Sequence, residues 1–284
     1  MNRVRVFNLD CGSRTLRLSE RTHVMGILNV TPDSFYDGGR YFNCDRAVER
    51  ALEIAAEGAD LIDIGGESTR PGAEPLDVRE EMKRVIPVIE GLQGKISIPI
   101  SIDTRKSQVA EAAFKAGASL VNDISALRDD PNMASVVAKY RVPVVLMHMK
   151  GTPRDMQKNP EYDDLMGEIY LFLEMSVRRA VKMGIQREKI IVDPGIGFGK
   201  KWEDNFVILK RMQEFLRLDC PLMVGVSRKS FIGLALEVSE DERLMGTAGA
   251  VATCVMQGAH IVRVHDVKEM VQVVRIADRI KHSH

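Results

Sequence analysis

The sequence lacks any imbalance of charge, because 40 lysines and arginines are offset by 40 aspartates and glutamates. No overall field therefore draws the chain to nucleic acid or to an anionic membrane. Long apolar runs are also missing: the longest, such as residues 142–147, are strand-sized and far too short to span a membrane. The basic residues 1–5 are not followed by an apolar segment and a cleavage site, so we expect no signal peptide.

Cysteine is scarce and scattered. The four cysteines form no Cys-x-x-Cys pair, and no histidine follows them at the spacing of a zinc site. We therefore expect reduced thiols and a cytoplasmic location. No low-complexity segment and no linker rich in Pro, Gly or Ser divides the chain, so we expect one domain over residues 1–284. That length suits a single α/β barrel, which typically needs about 250 residues.

Apolar stretches of strand length alternate with stretches of helical spacing along the chain. Three β-branched residues at 190–192 precede Asp193 and a glycine loop, which is typical of a buried parallel strand ending at a functional edge. The predicted strands are 24–29, 59–64, 99–102, 119–122, 143–148, 190–193, 221–227 and 261–264. The predicted helices are 45–57, 77–92, 107–116, 133–140, 163–183, 202–216, 241–257 and 268–280. Eight strand–helix units predict an α/β fold, a single (β/α)8 TIM barrel.

Segments outside this alternation are also informative. Residues 3–20 alternate in polarity around a turn at 10–13, which predicts an N-terminal hairpin within an extension of residues 1–22. We expect this hairpin to plug the bottom of the barrel. Polar loops at 30–39 and 65–72 follow the first two strands and are too elaborate for simple connectors, so we expect them to carry function.

A weak internal repeat places polar residues near the tops of several strands. Residues 58–63, 117–122 and 258–263 each begin with Gly-Ala, continue with an apolar pair, and end on a polar side chain. The shared spacing predicts similar heights for Asp63, Asn122 and Arg263, and Asp193 occupies a comparable place. Buried polar groups cost free energy unless they find partners. The four residues therefore either face a polar ligand or satisfy one another, Asp with Arg and Asn with Asp.

Eight short segments together carry a specific signal. They are NVTPDSF at 29–35, GGESTRP at 65–71, IDT at 102–104, VNDI at 121–124, MHM at 147–149, DPGIGF at 193–198, SRKSF at 227–231 and RVHDV at 263–267. With these segments the chain resembles the bacterial dihydropteroate synthases, pterin-binding TIM barrels of folate biosynthesis. The resemblance covers essentially the whole barrel. It implies a transferase that joins 6-hydroxymethyl-7,8-dihydropterin diphosphate to p-aminobenzoate, giving 7,8-dihydropteroate and pyrophosphate.

The resemblance also implies a pterin pocket. The edge of a pterin shows hydrogen-bond donors beside acceptors, which carboxylates, an amide and an ammonium group can match. The residues assigned to this ligand are Asp103, Asn122, Asp193, Lys229, Met147 and Phe198, the last two as walls for the flat ring. Asp193, Lys229 and Asp103 are the expected catalytic residues.

A second group of residues suits the departing diphosphate. Arg263 and His265 are two residues apart on a strand, so both point the same way, and they precede a helix N-terminus. Phosphate sites recur at this place in TIM barrels. The resemblance implies that the diphosphate also meets Asn29 through Mg²⁺, and Arg70 is a further candidate. One amide cannot form a metal site alone, so phosphate and water would supply the other ligands.

The mechanism that the resemblance implies is dissociative (SN1-like), with pyrophosphate leaving before the amine attacks. It needs no general base, which agrees with the absence of an evident Ser-His-Asp or Cys-His set. Closure of the two loops would keep water from the cation. The resemblance places Phe35, Thr69, Pro71 and Ser230 around p-aminobenzoate. Asp33 and Asp37 are expected to lock the loops or to touch the diphosphate.

Two alternatives stay open at this point. A barrel methyltransferase acting on methyltetrahydrofolate would share Asp103, Asn122 and Asp193, but it would have no diphosphate for Arg263 to hold. A catalytically idle pterin-binding barrel is the other alternative. A dinucleotide-binding enzyme is excluded, because the glycine loop after residue 193 lacks the last glycine of G-x-G-x-x-G.

The predicted helix at residues 245–257 is apolar on nearly every side. Such a helix should be buried on every side. An outer helix of a barrel achieves this by packing on a second copy of the chain, and the resembled family is homodimeric. We therefore predict a homodimer through this helix.

Overall fold

The computed structural model describes residues 6–12, 14–31, 44–70 and 72–283. The strands are β1 (Asn8–Asp10), β2 (Thr15–Arg17), β3 (His23–Asn29), β4 (Leu61–Gly65), β5 (Ile100–Asp103), β6 (Leu120–Asp123), β7 (Val144–Met147), β8 (Ile190–Asp193), β9 (Met223–Gly225) and β10 (Ile261–Val264). The α-helices are α1 (Cys44–Ala56), α2 (Val78–Leu92), α3 (Ser107–Ala116), α4 (Met133–Tyr140), α5 (Leu165–Lys182), α6 (Trp202–Arg211), α7 (Ser230–Leu236), α8 (Leu244–Met256) and α9 (Val267–Lys281). Short 3-10 helices lie at Arg187–Lys189, Met212–Leu218 and Glu240–Glu242.

Strands β3 to β10 form one parallel sheet in the order β8-β7-β6-β5-β4-β3-β10-β9. Its two edges meet where Val192 of β8 pairs with Leu222, just before β9, so the sheet is a nearly closed barrel. The helices surround it, and the predicted (β/α)8 TIM barrel is confirmed. Within the described ranges, no helix combines the length and the apolar character that crossing a membrane requires.

Helix α2 shows how the sequence builds the outer layer. The side chain of Asp77 accepts a hydrogen bond from the backbone N–H of Arg79 at 3.2 Å, which caps the N-terminus. Val85, Ile89 and Leu92 then recur at helical spacing and are fully or almost fully buried. The apolar stripe therefore faces the barrel and fixes the helix against it.

The N-terminal half of the barrel interior is closed by an apolar layer. The inward-facing residues of this layer are Met25, Leu61, Leu120, Val145, Ile191, Met223 and Ile261. The predicted hairpin is confirmed as β1 paired antiparallel with β2. It packs Leu9, Cys11, Leu16 and Leu18 against that layer. The hairpin is therefore the plug of the barrel, and the C-terminal end is left for chemistry.

We expect Leu16→Ala to destabilise the protein without slowing any reaction at the other end of the barrel. Leu16 is 2% exposed, so the substitution leaves a cavity and should cost about 2–4 kcal/mol of unfolding free energy. Urea unfolding measures this loss, and steady-state kinetics below the transition should match the unmodified protein. An unchanged midpoint would mean that the hairpin is not part of the cooperative fold.

The region after the seventh barrel strand differs from the prediction. Strand β9 covers residues 223–225 rather than 221–227, and helix α7 follows where no helix was expected. Arg228 has a left-handed backbone (φ 55°), which turns the chain out of the strand. Helix α7 has only seven residues and makes fewer than two helical repeats, so periodicity could not reveal it.

Candidate active site

Two residues beyond the apolar layer, most of the inward-facing side chains become polar. Alternate residues of a strand share a face, so these positions also point into the barrel. The polar side chains at these positions are Asp63, Asn122, Asp193 and Arg263, and Met147 of β7 lies at the same level. The predicted polar ring therefore forms at the C-terminal ends of the strands, directly above the apolar layer.

Arg263 joins the acids of this ring. Its Nε donates to Asp63 Oδ2 at 2.6 Å, and its other guanidinium nitrogen donates to Asp103 Oδ2 at 2.8 Å. The amide of Asn122 donates to the same oxygen of Asp63 at 2.9 Å. The sequence repeat thus brought together side chains up to 200 residues apart, and the pairing of Asp with Arg and of Asn with Asp is real.

The pairing does not use all the polar atoms of the ring. Among the described residues, Asn122 Oδ1 and Asp63 Oδ1 are buried and have no hydrogen-bond partner. Because Asn122 Nδ2 donates to a carboxylate, its Oδ1 is fixed as an acceptor. An unpaired buried acceptor is costly, so these atoms favour a ligand that brings N–H donors. The mutual pairing is therefore confirmed, and the polar ligand stays a prediction that the two unpaired oxygens favour.

Burial is the main influence on the pKa of two acids of the ring, Asp103 and Asp193. It raises the pKa of Asp103 to about 7, against the opposing effect of the Arg263 cation. It also raises the pKa of Asp193, against the effect of Lys229. Asp193 Oδ1 accepts a hydrogen bond from the backbone N–H of Gly195 at 2.7 Å, which fixes the carboxylate. Asp103 can thus gain or lose its negative charge near neutral pH.

Lys229 reaches the ring from the turn before α7. Its Nζ donates to the backbone carbonyl of Ile196 and lies 4.7 Å from the centre of the Phe198 ring. Burial lowers its pKa to about 8, and the negative charge of Asp193 opposes this shift. An ammonium group held over an aromatic ring can donate to the edge of a flat ligand bound beside it.

The glycine loop after β8 is held rigidly beside Asp193. Gly195 has a left-handed backbone (φ 68°), and an added Cβ there would collide with the carbonyl oxygen of His148. The side chain of Asn205 accepts from the N–H of Gly197 at 2.7 Å, and the Tyr162 hydroxyl donates to the carbonyl of Gly199 at 2.5 Å. The loop needs its glycines to pass this close to β7, and it presents Phe198 in one place.

An apolar wall adjoins the polar ring. Met147 packs with Ile124, Met149 and Met156, and the partly buried Phe198 packs against this cluster. The prediction named only Met147 and Phe198. The other three were missed because a methionine or isoleucine near a strand end is usually ordinary core, and nothing in the spacing distinguished them.

The predicted anion side combines arginine charges with a neutral imidazole. Burial and the neighbouring Arg263 and Arg228 lower the pKa of His265 to about 4, so this imidazole is neutral at pH 7. Its Nδ1 lies 3.0 Å from Ser227 Oγ. His265 can therefore offer a hydrogen bond to an anion but not a positive charge, and the charge comes from the arginines.

Two other residues of the predicted anion side lie at the rim. Arg70 is exposed and pairs with Glu240 at 3.0 Å, and its charge still contributes to lowering the pKa of His265. Asn29 is exposed at the end of β3. Over the described ranges, no group of three His, Cys, Asp or Glu side chains could hold a metal ion. A metal ion here would need most of its ligands from the substrate and water, because Asn29 alone cannot form a metal site.

The p-aminobenzoate side is described in part. Thr69 is half-buried, and Ser230 is exposed at the first position of α7. Ser230 and Gly197 line a groove of about 520 Å³ between the glycine loop and helix α7. Four predicted residues, Phe35, Pro71, Asp33 and Asp37, lie outside the described residues, and their roles stay predictions.

One buried group was missed altogether. Lys200 is 2% exposed and contacts His148 behind the glycine loop. Lysines are almost never fully buried, so a lysine after a glycine loop gives no signal of burial in the sequence. The short motif around His148 was noted, but its contact with Lys200 depends on the fold.

Comparison with known proteins agrees with this geometry. The family described as pterin binding enzyme matches residues 25–265. The dihydropteroate synthase of Synechocystis sp. is 45% identical over 273 residues, which cover 96% of this chain and 94% of that protein.

Solved structures agree as well. A Yersinia pestis dihydropteroate synthase with a sulfonamide drug complex has a TM-score of 0.92 and 44% identity, and the match covers 98% of this chain and 100% of that one. A Xanthomonas albilineans dihydropteroate synthase with 4-aminobenzoic acid has a TM-score of 0.92 and 43% identity, with 99% and 100% covered. Fold and sequence are therefore shared over nearly the whole chain.

Proposed function

The chain belongs to the pterin binding enzymes, and within them to the dihydropteroate synthases, so we propose that it joins 6-hydroxymethyl-7,8-dihydropterin diphosphate to p-aminobenzoate. The products are 7,8-dihydropteroate and pyrophosphate. The observation that carries this proposal is the ring in which Arg263 bridges Asp63 and Asp103 beside the unpaired oxygen of Asn122. The ring places hydrogen-bond acceptors for a heterocycle beside the Arg263 cation, which can hold the departing anion.

Recognition of the pterin follows from the donors and acceptors of this ring. Asp103, Asp193 and Asn122 Oδ1 accept from the N–H groups of the ligand, and Lys229 donates to an acceptor on its edge. Phe198 and Met147 lie beside these groups and support the flat ring. The carboxylates do more than bind, because a cation formed on the ligand gains from a negative charge nearby.

The chemical step is dissociative. The bond between the pterin methylene carbon and the diphosphate oxygen breaks, and its electron pair leaves with pyrophosphate. Asp193, held by Gly195, stabilises the cation that is spread over the ring. The neutral amine of p-aminobenzoate then attacks the methylene carbon, forms the C–N bond and loses one proton to solvent. No protein base is required, so fixed charge in a closed site is the source of catalysis.

The diphosphate lies at the Arg263 end of the ring. Arg263 supplies charge and His265 a neutral hydrogen bond, with Arg70 at the rim as a further cation. Bound Mg²⁺ would supply further charge neutralisation, and Asn29 is the residue that would hold it, with phosphate and water as its other ligands. An exposed amide oxygen at a strand end fits that limited role.

The second substrate occupies the mouth of the barrel. Thr69, Ser230, Phe35 and Pro71 are the residues that we propose around p-aminobenzoate, and Asp33 and Asp37 act in closing the loops. The Xanthomonas albilineans relative is solved with 4-aminobenzoic acid and the Yersinia pestis relative with a sulfonamide drug. We propose that this mouth accepts both kinds of molecule.

The proposed reaction is tested by mixing purified protein with dihydropterin diphosphate, p-aminobenzoate and Mg²⁺. Dihydropteroate and pyrophosphate should appear in equal amounts. Pyrophosphate release without p-aminobenzoate would support the dissociative order. Pterin binding without either product would instead identify a pterin-binding barrel that does not catalyse.

We also propose a homodimer through α8 and α9, in a protein that works in the cytoplasm with its four cysteines unpaired. Met245 is 78% exposed, and Ile276 and Ile280 are 65% and 58% exposed beside an apolar groove of about 480 Å³. Apolar patches of this kind mark interfaces between proteins. The helix predicted to be buried on all sides is buried on one side within a single copy.

We expect Ile276→Asp to convert the dimer to a monomer, because a charge at the centre of an apolar interface has no partner there. Light scattering after size-exclusion chromatography measures the mass. Lys268→Asp, on the same helix but outside the groove, serves as a matched control and should remain dimeric. A monomer before any substitution would remove this proposal.

A further inference from the structure

Lys200 is a buried lysine without an acidic partner. Its Nζ lies 3.0 Å from His148 Nδ1 and donates to the backbone carbonyl of Phe198 at 2.9 Å. In the described part of the chain, no carboxylate forms an ion pair with it. Burial lowers the pKa of Lys200 well below its ordinary value and also lowers the pKa of His148. An apolar residue at this position would avoid that cost.

The contacts of Lys200 connect the two strands that carry the pterin wall. His148 follows β7 directly after Met147, and its backbone N–H donates to the carbonyl of Asp193 at 2.9 Å. Phe198 lies on the loop that follows Asp193. Lys200 therefore bridges the end of β7 and the loop after β8 through the Phe198 backbone, whereas Lys229 lies over the Phe198 ring.

The charged groups that the structure describes near Lys200 do not form an ion pair with it. The charged residues that influence it are Asp193, Lys229 and Asp204, and those that influence His148 are Arg128 and Lys150 as well as Lys200. The two carboxylates are engaged elsewhere: Asp193 accepts from Gly195, and Asp204 accepts from the backbone N–H of Lys201 at 2.8 Å. What Lys200 supplies is a hydrogen bond that fixes the Phe198 backbone.

We propose that Lys200 is a positioning residue of the pterin pocket, which holds the Phe198 ring in place through the Phe198 carbonyl and His148. The inference rests on the proposed function. Functional sites retain buried polar groups that a packed core would exclude, and the loss of stability is accepted for orientation. The described hydrogen bonds of Lys200 go to His148 and to the Phe198 carbonyl, so its effect on the pocket passes through Phe198.

The test is Lys200→Met, which keeps the length of the side chain and removes its donors. We expect the KM for dihydropterin diphosphate to rise about tenfold, because a mobile wall binds the ring less well. The KM for p-aminobenzoate should change less than twofold. The melting temperature should be equal to or above that of the unmodified protein, because the buried amine is gone. Lys200→Gln retains an N–H donor and should recover part of the lost affinity.

Lys189→Met is the matched control. Lys189 is also buried, at 8% exposure, but it lies at the plugged end, where its Nζ donates to Asp10 of the hairpin at 2.9 Å. Its loss should lower the melting temperature by several degrees and leave both KM values unchanged. Lys200→Met is thus expected to reduce substrate affinity without loss of stability, and Lys189→Met to reduce stability without loss of affinity.

A purely structural role for Lys200 would reverse the result for Lys200→Met: a lower melting temperature with unchanged KM values. That outcome would overturn the inference while leaving the proposed reaction intact. Failure of the unmodified protein to form dihydropteroate would overturn the proposed function first, and is seen before any variant is measured. Equal KM values in Lys200→Met and Lys200→Gln would also contradict the inference, because the donor would then be irrelevant.

Discussion

Asp193→Asn should lower kcat about 1,000-fold with little change in the melting temperature. The asparagine keeps the size of the side chain and an oxygen for the hydrogen bond from Gly195, but it carries no negative charge toward the pterin cation. Removal of one preorganised electrostatic group typically costs a factor of this size. Because the interaction is made mainly in the transition state, kcat and kcat/KM should fall together. Pyrophosphate release under saturating substrates measures the loss.

Asp60→Asn controls for the removal of a buried carboxylate. Asp60 is 6% exposed, accepts from Arg21 at 2.8 Å and from the backbone N–H of Val24 at 3.0 Å, and lies at the N-terminal end of the barrel. Its substitution should reduce stability and leave kcat unchanged. If Asp193→Asn kept more than a tenth of the activity, the cation could not depend on that charge.

Lys229→Ala should lower kcat/KM by about 100- to 1,000-fold and should also change the pH profile. The pKa of Lys229 is lowered to about 8, so its ammonium form is present below that pH and is lost above it. The pKa of Asp103 is raised to about 7, so its carboxylate form is gained as the pH rises through that value. If both charged forms are needed, kcat/KM should be greatest between about pH 7 and 8.

Lys229→Ala distinguishes the acid limb of this pH profile from its alkaline limb. Without the lysine, the residual kcat/KM should no longer fall above about pH 8, whereas the acid limb should remain. The measurement is kcat/KM for dihydropterin diphosphate from pH 5.5 to 9.5 in buffers of constant ionic strength, roughly 0.1 M to limit screening effects. An alkaline limb that persisted in Lys229→Ala would assign that titration to the substrate or to another residue.

The sequence was sufficient for the barrel and for part of the site because both depend on local repeats. Alternation of strand and helix predicts the fold, and the Gly-Ala repeat predicts that Asp63, Asn122 and Arg263 share one height. Helix α7 was not predicted because seven residues are too few to show a helical spacing of apolar residues. Strand β9 was predicted too long because the left-handed turn at Arg228, a residue that rarely adopts it, ends the strand early.

The remaining features depend on burial, which spacing does not encode. The neutral state of His265 follows from its enclosure beside Arg263 and Arg228, which its position two residues after Arg263 does not reveal. The choice of Asp63 and Asp103 as partners of one arginine is set by the closed barrel. Lys200 shows the same limit, since only the fold places it behind Phe198.

The account depends most on a single polar layer that binds a flat heterocycle beside its leaving anion. A crystal structure of the protein with dihydropterin diphosphate tests this directly. The pterin edge should contact Asp103, Asn122, Asp193 and Lys229 in one cavity, with the diphosphate on the side of Arg263. A pterin bound with its edge away from Asn122 and Asp193, or a diphosphate on the opposite side of the ring, would contradict it.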